Sequence, residues 1–283
     1  GEGTSPTLIG TFSAMTKKRI LLTGAAGRVG RLVRPLLQAA YALRVCDLAP
    51  LGPMAPDEEI LQGDLADSAV AAEAVAGVAA VVHLAGLVAP AVSFEDTLSP
   101  NYRAVLALLE SCRHGGVPRF VFASSHHIVG LHAPGPLGAD APIAPDGFYG
   151  LSKAFGEAAC AMYARRFGLR AMIIRIGNAD PEVVDGRRER LWVRARDLVQ
   201  LIGIGIEHED VHCEIVYGTS QCPDPFFPKN AAARLGYRPQ DHASDHRSPN
   251  FRPLAAMSAA DGAGFVGGGF AASALPDPFR RTQ

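Results

Sequence analysis

Two residues that could perform acid–base chemistry, Tyr149 and Lys153, stand four positions apart in a segment predicted to be helical. Side chains four apart on a helix share one face, so the Lys153 ammonium can lie beside the Tyr149 phenol. A neighbouring positive charge favours the phenolate and holds a tyrosine pKa below its reference value of about 10. Tyr149 is therefore a candidate proton acceptor near neutral pH. Ser125 lies upstream, just after a predicted strand.

A glycine-rich turn near the start of the chain is the second signal. Gly24, Gly27 and Gly30 follow a short apolar run and open a predicted helix. Glycines let a backbone approach a pyrophosphate, and a helix N-terminus adds free N–H groups and partial positive charge. Such turns also occur for packing alone, but Asp47 closes the next predicted strand about 20 residues on. An acidic residue there binds both ribose hydroxyls of an adenosine and repels a 2′-phosphate, so the sequence favours NAD over NADP.

The sequence allows two roles for each of two charged residues near this turn. Arg28, inside the turn, either contacts a pyrophosphate or is simply solvated. Asp64, at the end of the third predicted strand, is either a contact to the adenine edge or a cap for the following turn. Both alternatives stay open at the level of the sequence.

Strands and helices alternate along the chain, which predicts an α/β fold with a Rossmann-type, doubly wound parallel sheet and a small C-terminal part. Strands are predicted at 19–23, 43–46, 59–62, 80–84, 119–123, 171–175 and 213–217. Helices are predicted at 29–40, 69–76, 101–113, 149–167 and 193–202. Residues 176–190 are predicted to be an irregular segment that covers a ligand. The expected organisation is a flexible tail at 1–16, an NAD-binding domain at 17–177 and a mainly substrate-binding part at 178–283.

Composition limits the classes of function. The 283 residues carry a formal net charge of −1 and scattered arginines, which predicts no nucleic-acid or membrane partner and favours a small-molecule substrate. The five cysteines show no CxxC pair and no metal-ligand spacing, so we expect no metal and a reducing, cytoplasmic setting. No apolar run is long enough to span a bilayer. Residues 1–14 lack the features of a signal peptide, and Met15 is a candidate native start.

In combination, these motifs resemble those of the extended short-chain dehydrogenase/reductase superfamily, of the NAD-dependent epimerase/dehydratase type. The likeness covers about residues 18–217. It implies that Tyr149 is the acid/base, that Lys153 binds the nicotinamide ribose and lowers the Tyr149 pKa, and that Ser125 holds the reacting oxygen. It also implies a homo-oligomer formed through the helices at 101–113 and 149–167. The NAD contacts expected on this basis are Gly24, Gly27, Arg28, Val29, Gly30, Asp47, Asp64, Leu65, Leu84, Ala85, Gly86, Asn101, Tyr149 and Lys153.

A closer similarity exists to bacterial uronate dehydrogenases, which oxidise the C1 hydroxyl of glucuronate or galacturonate to a lactone. The similar segments are 122–127, 145–153, 175–177 and 267–270. The resemblance implies that Arg187 grips the sugar carboxylate, and a guanidinium fork suits that task because two parallel hydrogen bonds fix the carboxylate plane. Arg188 and Arg190 stand beside it, so a solvated basic turn is the alternative.

Three polar substrate contacts of that group differ in this chain. Val88 and Asn178 each replace a serine, and His126 replaces an asparagine. A site built to bond a hydroxyl rejects ligands that leave its partner unpaired, so the reaction is better determined than the substrate. His127 matches the group, while His126 is either a substrate ligand or a structural hydrogen-bond donor. The expected substrate contacts are Val88, Ser125, His126, His127, Asn178 and Arg187.

The leading hypothesis is therefore the NAD-dependent oxidation of a small, uronate-like sugar acid at C1 to a lactone by Ser125, Tyr149 and Lys153. A dehydrogenase of a neutral sugar or other polyhydroxy compound would use the same groups. So would a nucleotide-sugar epimerase or dehydratase, but the chain is short for one, and His126 and His127 stand where dehydratases have Asp and Glu. A scaffold without turnover is disfavoured because the three reacting groups are intact.

Overall fold

The computed structural model describes residues 16–52, 55–138 and 140–282, so the predicted flexible tail lies, up to residue 15, outside the described residues. The described chain contains nine strands. They are β1 (Arg19–Thr23), β2 (Ala42–Asp47), β3 (Glu59–Gln62), β4 (Ala80–His83), β5 (Arg119–Ser125), β6 (Arg170–Ile176), β7 (Val183–Asp185), β8 (Cys213–Gly218) and β9 (Arg247–Arg252).

Seven of these strands form one parallel sheet in the order β3-β2-β1-β4-β5-β6-β8. The chain winds outward in one direction from β1 to β3 and in the other from β4 to β8, so the order reverses between β1 and β4. Central strands are buried on both faces and contain continuous apolar runs, at 20–22 in β1 and 120–123 in β5. The predicted doubly wound Rossmann-type fold is confirmed.

Helices connect the parallel strands because a parallel pair needs a crossover. The main ones are α1 (Arg28–Leu37), α2 (Ser68–Val75), α4 (Ala104–Gly115), α5 (Phe148–Phe167) and α7 (Ala195–Glu207); short ones are α3 (Phe94–Thr97), α6 (Gly186–Glu189), α8 (Asn230–Arg234) and α9 (Gly269–Ala272). Helices α4 and α5 end at Gly116 and Gly168, whose left-handed φ angles of +69° and +72° let the chain turn back into β5 and β6.

Two apolar cores cover the two faces of the sheet. Val33 of α1 and Leu201 of α7 belong to one core, together with β1 and β6 side chains that point to that face. Leu108 of α4 and Cys160 of α5 belong to the other, with Phe120 of β5. The cores fix the strand ends and the start of α5 relative to one another.

The structure departs from the prediction in three places. The helix predicted at 101–113 begins only at Ala104, because a π-helical turn, Leu98–Arg103, precedes it. The segment 176–190, predicted to be irregular, contains β7 and α6. Strand β7 pairs in parallel with β9, which lies in the region where the sequence pattern is weak. The division at residue 177 stays a prediction, and β8 joins the main sheet from beyond it.

In the part of the chain that the structure covers, no helix is both long and apolar enough to cross a membrane. Among the same residues, no group of three or more His, Cys, Asp or Glu side chains could hold a metal ion.

Candidate active site

A cavity of about 490 Å³ lies at the carboxyl ends of β1, β4, β5 and β6, where the strand order reverses. Open α/β sheets bind their ligands at such a switch point, and this volume suits a small-molecule site. The structure brings most of the predicted site residues together there: Gly24, Gly27, Arg28, Val29, Gly30, Leu84, Gly86, Val88, Ser125, His126, His127, Tyr149, Lys153, Asn178 and Arg187.

The glycine turn forms one end of the cavity. Gly24 has a φ of +69°, and a Cβ there would lie 2.6 Å from the backbone nitrogen of Ala85. A Cβ on Gly30 would lie 2.1 Å from the carbonyl oxygen of Gly24. Helix α1 starts after Gly27 with no side-chain cap, so its first N–H groups are available to an anion. The turn has the geometry that a pyrophosphate requires.

Asp47 and Asp64 do not line the cavity, and both carboxylates bond backbone nearby. Asp47 accepts hydrogen bonds from the Ala26 and Ala49 nitrogens, each at 3.0 Å, and so ties the end of β2 to the glycine turn. Asp64 accepts one from the Ala66 nitrogen at 2.9 Å, the turn-capping arrangement. Their contacts with a cofactor stay predictions.

Three more predicted cofactor contacts, Leu65, Ala85 and Asn101, do not line the cavity. Leu65 is buried in the core between α2 and α4. The Ala85 nitrogen bonds the Thr23 hydroxyl at 3.1 Å. Asn101 accepts from the Leu87 nitrogen at 2.7 Å and donates to the Ser152 hydroxyl at 2.9 Å. Asn101 thereby joins the loop after β4 to α5, next to Lys153.

Ser125, Tyr149 and Lys153 converge at the centre of the cavity. Ser125 ends β5 and accepts a hydrogen bond from the His127 nitrogen at 3.1 Å, while Tyr149 and Lys153 come from the first turns of α5. The Lys153 ammonium lies 5.7 Å from the Tyr149 ring centre and 5.1 Å from that of Phe122. This arrangement agrees with the prediction that Tyr149 and Lys153 lie on the same face of a helix.

The expected lowering of the Tyr149 pKa is wrong for this structure. Burial raises the pKa of Tyr149 to about 12, and the Asp146 carboxylate adds to the rise, whereas a hydrogen bond with Ser125 opposes it. Burial also lowers the pKa of Lys153 to about 8. Desolvation by burial is the largest cause of both shifts.

His126 and His127 stack against each other, with ring centres 4.1 Å apart. His126 Nδ1 lies 3.1 Å from the carbonyl oxygen of Ile176, which can only accept, so Nδ1 carries the proton. Burial lowers the pKa of His126 well below its usual value, so the ring is neutral and Nε2 is an acceptor; that atom is buried and has no partner among the described residues. The bond from Nδ1 supports the alternative of a structural hydrogen-bond donor, and contact with a substrate stays a prediction.

Arg187 is almost fully buried, unlike a solvated basic turn, with 6% of its surface exposed. Its Nη1 donates to the Val266 carbonyl at 2.7 Å, and a Cβ on Gly268 would lie 2.3 Å from its Nε. Within the described chain it forms no ion pair under 4 Å. Burial and the neighbouring Arg188 lower the pKa of Arg187 to about 10, opposed by the Asp185 and Asp146 carboxylates, and the group stays charged at neutral pH.

Asn178 and Arg28 are linked across the cavity by Asp180, a residue that the sequence analysis missed. Asn178 Nδ2 donates to Asp180 Oδ2 at 3.0 Å, and Arg28 Nη2 lies 2.5 Å from Asp180 Oδ1. Asn178 Oδ1 is buried and has no partner among the described residues. Arg28 is thus ion-paired rather than simply solvated, and Asn178 presents an acceptor. Val88 lines the same cavity but is 58% exposed.

Phe270 and Asp146 were also missed. The Phe270 ring stacks on His127 with centres 3.9 Å apart, and the Asp146 carboxylate bonds His127 Nδ1 at 2.7 Å. The similar segments 145–153 and 267–270 contained both residues, so the signal was present, but spacing alone assigns neither a role.

Comparison with known proteins agrees with the fold and the site. The family profile described as the NAD dependent epimerase/dehydratase family matches residues 20–180, and the chain belongs to this family. The chain is 40% identical to a uronate dehydrogenase of Pseudomonas putida, over 81% of this chain and 87% of the relative. It is 39% identical to that of Agrobacterium fabrum, over the same shares of the two chains. The family predicted from the motifs is confirmed.

Two solved structures of a uronate dehydrogenase are similar to this chain over most of its length. The crystal structure of uronate dehydrogenase from Agrobacterium tumefaciens superposes with a TM-score of 0.83 at 36% identity, covering 91% of this chain and 97% of that one. A point mutant of that enzyme, complexed with NAD, superposes with the same TM-score at 34% identity, over 94% and 99%.

Proposed function

We propose that this protein is an NAD-dependent uronate dehydrogenase that oxidises the C1 hydroxyl of a hexuronate to a lactone. The observation that carries the proposal is Arg187, a buried guanidinium without an ion-pair partner in the described chain, in the same cavity as Ser125, Tyr149 and Lys153. A buried charge is costly unless it is paired. A ligand carboxylate would provide the missing partner, whereas a neutral sugar would leave the charge unpaired.

The residues at the glycine end fit NAD. The turn at Gly24 and Gly30 has no room for side chains, and the uncapped start of α1 suits a pyrophosphate. Lys153 would hold the nicotinamide ribose, and Asp47 at the end of β2 would bind the adenosine ribose. When bound, NAD⁺ supplies the oxidant that accepts a hydride from the substrate carbon.

Side chains of the protein would accept the hydroxyl proton and stabilise the charge that develops during the reaction. Ser125 would orient the C1 oxygen by a hydrogen bond, and Tyr149 would accept the hydroxyl proton as the C1–O bond gains double-bond character. The Lys153 ammonium, 5.7 Å from the Tyr149 ring, stabilises the phenolate that must form first. Ser125 and Lys153 are both buried, and the lower local dielectric strengthens their interactions.

A panel assay tests the proposal. NADH formation is followed by absorbance with uronates, neutral aldoses, aldonates and nucleotide sugars at equal concentration. We expect the highest kcat/KM with a hexuronate, and a lactone as the first product by NMR. A higher value with a neutral aldose or a nucleotide sugar would overturn it in favour of one of the alternative enzymes.

The proposal extends to the oligomeric state and the cellular setting of the protein. Leu106 on α4, and Leu151 and Met162 on α5, expose 37%, 44% and 50% of their surface, which supports a homo-oligomer through these helices. Light scattering would test this. All five cysteines are free thiols and three are buried, which fits the reducing cytoplasm that we propose as the setting.

A further inference from the structure

A second buried carboxyl group lies beside the reacting residues. Asp146, two residues before α5, has a side chain that is 0% exposed, and its Oδ2 lies 2.7 Å from His127 Nδ1. The backbone makes room for it: a Cβ on either Gly130 or Gly267 would lie 1.9 Å from Asp146 Oδ2. Two glycines are therefore needed to admit this carboxyl group.

The His127 ring is held on several sides. It stacks on Phe270 at 3.9 Å with an interplanar angle of 20°, and meets the edge of Tyr149 at 5.8 Å. With Nδ1 bonded to Asp146, only Nε2 is left to interact, and it has no hydrogen-bond partner among the described residues. Because His127 lines the cavity beside Ser125, Nε2 is the atom offered to a ligand.

The proton between Asp146 and His127 has two arrangements. With Asp146 ionised, Nδ1–H donates to Oδ2 and Nε2 is an acceptor; with Asp146 protonated, its O–H donates to Nδ1 and Nε2–H is a donor. The charged and titratable groups around the pair are Arg187, His126 and Tyr149. Burial raises the pKa of Asp146 to about 7, opposed by Arg187, and lowers that of His127 to about 3.

We infer that Asp146 is a positioning residue: it holds the proton of neutral His127 on Nδ1, so that Nε2 accepts a hydrogen bond from a substrate hydroxyl next to the reacting carbon. The inference rests on the proposed dehydrogenase function. Asp146 does not line the cavity and acts only through His127. The acceptor state requires the ionised carboxylate, which links substrate recognition to pH.

A double-mutant cycle tests the coupling. In Asp146→Asn the new amide can donate to Nδ1, which reverses the tautomer, as an Asp-to-Asn change does in a serine protease triad. We expect the KM of the best uronate to rise roughly 5- to 100-fold, the equivalent of losing one buried hydrogen bond, with kcat changed less. In a His127→Phe background, which retains the stack on Phe270, Asp146→Asn should change KM by less than about twofold, since coupled residues are not additive.

Other readouts separate positioning from structure. The control Asp197→Asn removes another fully buried carboxylate, outside the cavity, and should leave KM unchanged even if it lowers the melting temperature. The wild-type KM should rise as the pH falls through about 7, and Asp146→Asn should abolish this dependence. Affinity for NAD, measured by calorimetry without substrate, should be the same in wild type and variant.

Three results would overturn the inference. The first is a full effect of Asp146→Asn in the His127→Phe background, and the second is no effect in the wild-type background. The third needs no variant: ¹⁵N NMR of wild-type His127 at a pH above about 8 should show the proton on Nδ1, and a proton on Nε2 would refute it. If uronates prove to be poor substrates, the proposed function fails, whereas the NMR result still decides the tautomer.

Discussion

Removing the Arg187 guanidinium is the sharpest test of an acid substrate. The side chain is 6% exposed and, among the described residues, makes one hydrogen bond, from Nη1 to the Val266 carbonyl, so Nε and Nη2 remain for a ligand. Two charge-assisted bonds to a carboxylate would fill that end of the cavity. In Arg187→Ala, the substrate carboxylate would be buried without its counter-charge.

The size of the loss follows from the burial. Truncating one partner of a buried, hydrogen-bonded charge pair costs about 2 to 5 kcal/mol, which corresponds to a loss of roughly 30- to 5,000-fold in kcat/KM. An exposed pair would lose no more than about 1 kcal/mol. The measured magnitude therefore also reports whether Arg187 is as buried in solution as the structure shows.

The assay compares NADH formation from a uronate and from its neutral aldose counterpart. Arg187→Ala should lose activity on the uronate and leave the low activity on the aldose unchanged. The matched control is Arg190→Ala, three residues on, whose guanidinium pairs with Asp224 at 3.6 Å and does not line the cavity; it should retain uronate activity. Normal uronate turnover by Arg187→Ala would refute the anchoring role.

Four further outcomes are expected. Tyr149→Phe should lower kcat by roughly 10²- to 10⁴-fold with NAD affinity nearly unchanged, and retention of most activity would contradict the acid/base assignment. Lys153→Met should weaken NAD binding by calorimetry and also lower kcat; an effect on only one of them would argue against its double role. Asp47→Ala should raise the KM for NAD and reduce the preference for NAD over NADP. Equal use of both cofactors by the wild type would show that Asp47 does not determine cofactor choice. If Tyr149 acts as a phenolate, its pKa of about 12 predicts that kcat/KM for oxidation rises with pH between about 6 and 8, the range in which Lys153, with a pKa of about 8, keeps its charge; a fall over that range would contradict the phenolate role.

The sheet and its glycine turn could be predicted because their signals are local. Strand β1 has the predicted bounds, and Gly24 has the left-handed φ that its place in the motif requires. The small sheet could not be predicted, since β7 pairs with β9 more than sixty residues later and each strand is too short to show a period. Long-range pairing of short segments leaves no pattern in either one.

The residues of the candidate site could be predicted from the sequence, but the pKa values of their side chains could not. The four-residue spacing placed Lys153 beside Tyr149, yet spacing contains no information about burial, which raises the tyrosine pKa instead of lowering it. The same limit explains Asp146. Next to Gly147 in a Pro- and Gly-rich loop it looks like a turn residue, and only the fold buries its carboxyl group against His127.

We expect substrate choice to depend more on His126 and Asn178 than on the three reacting groups. His126 Nε2 and Asn178 Oδ1 are both buried and unpaired within the described chain, whereas His126 Nδ1 donates to the Ile176 carbonyl and Asn178 Nδ2 donates one hydrogen to Asp180. Each atom therefore has a free lone pair, which a ligand hydroxyl would satisfy only after the side chain turns that atom toward the cavity. Leaving one such acceptor unmatched costs about 1 to 3 kcal/mol. We therefore expect sugars that share the C1 hydroxyl and the carboxylate to be distinguished by the orientation of their other hydroxyls, which a comparison of kcat/KM for glucuronate and galacturonate would test.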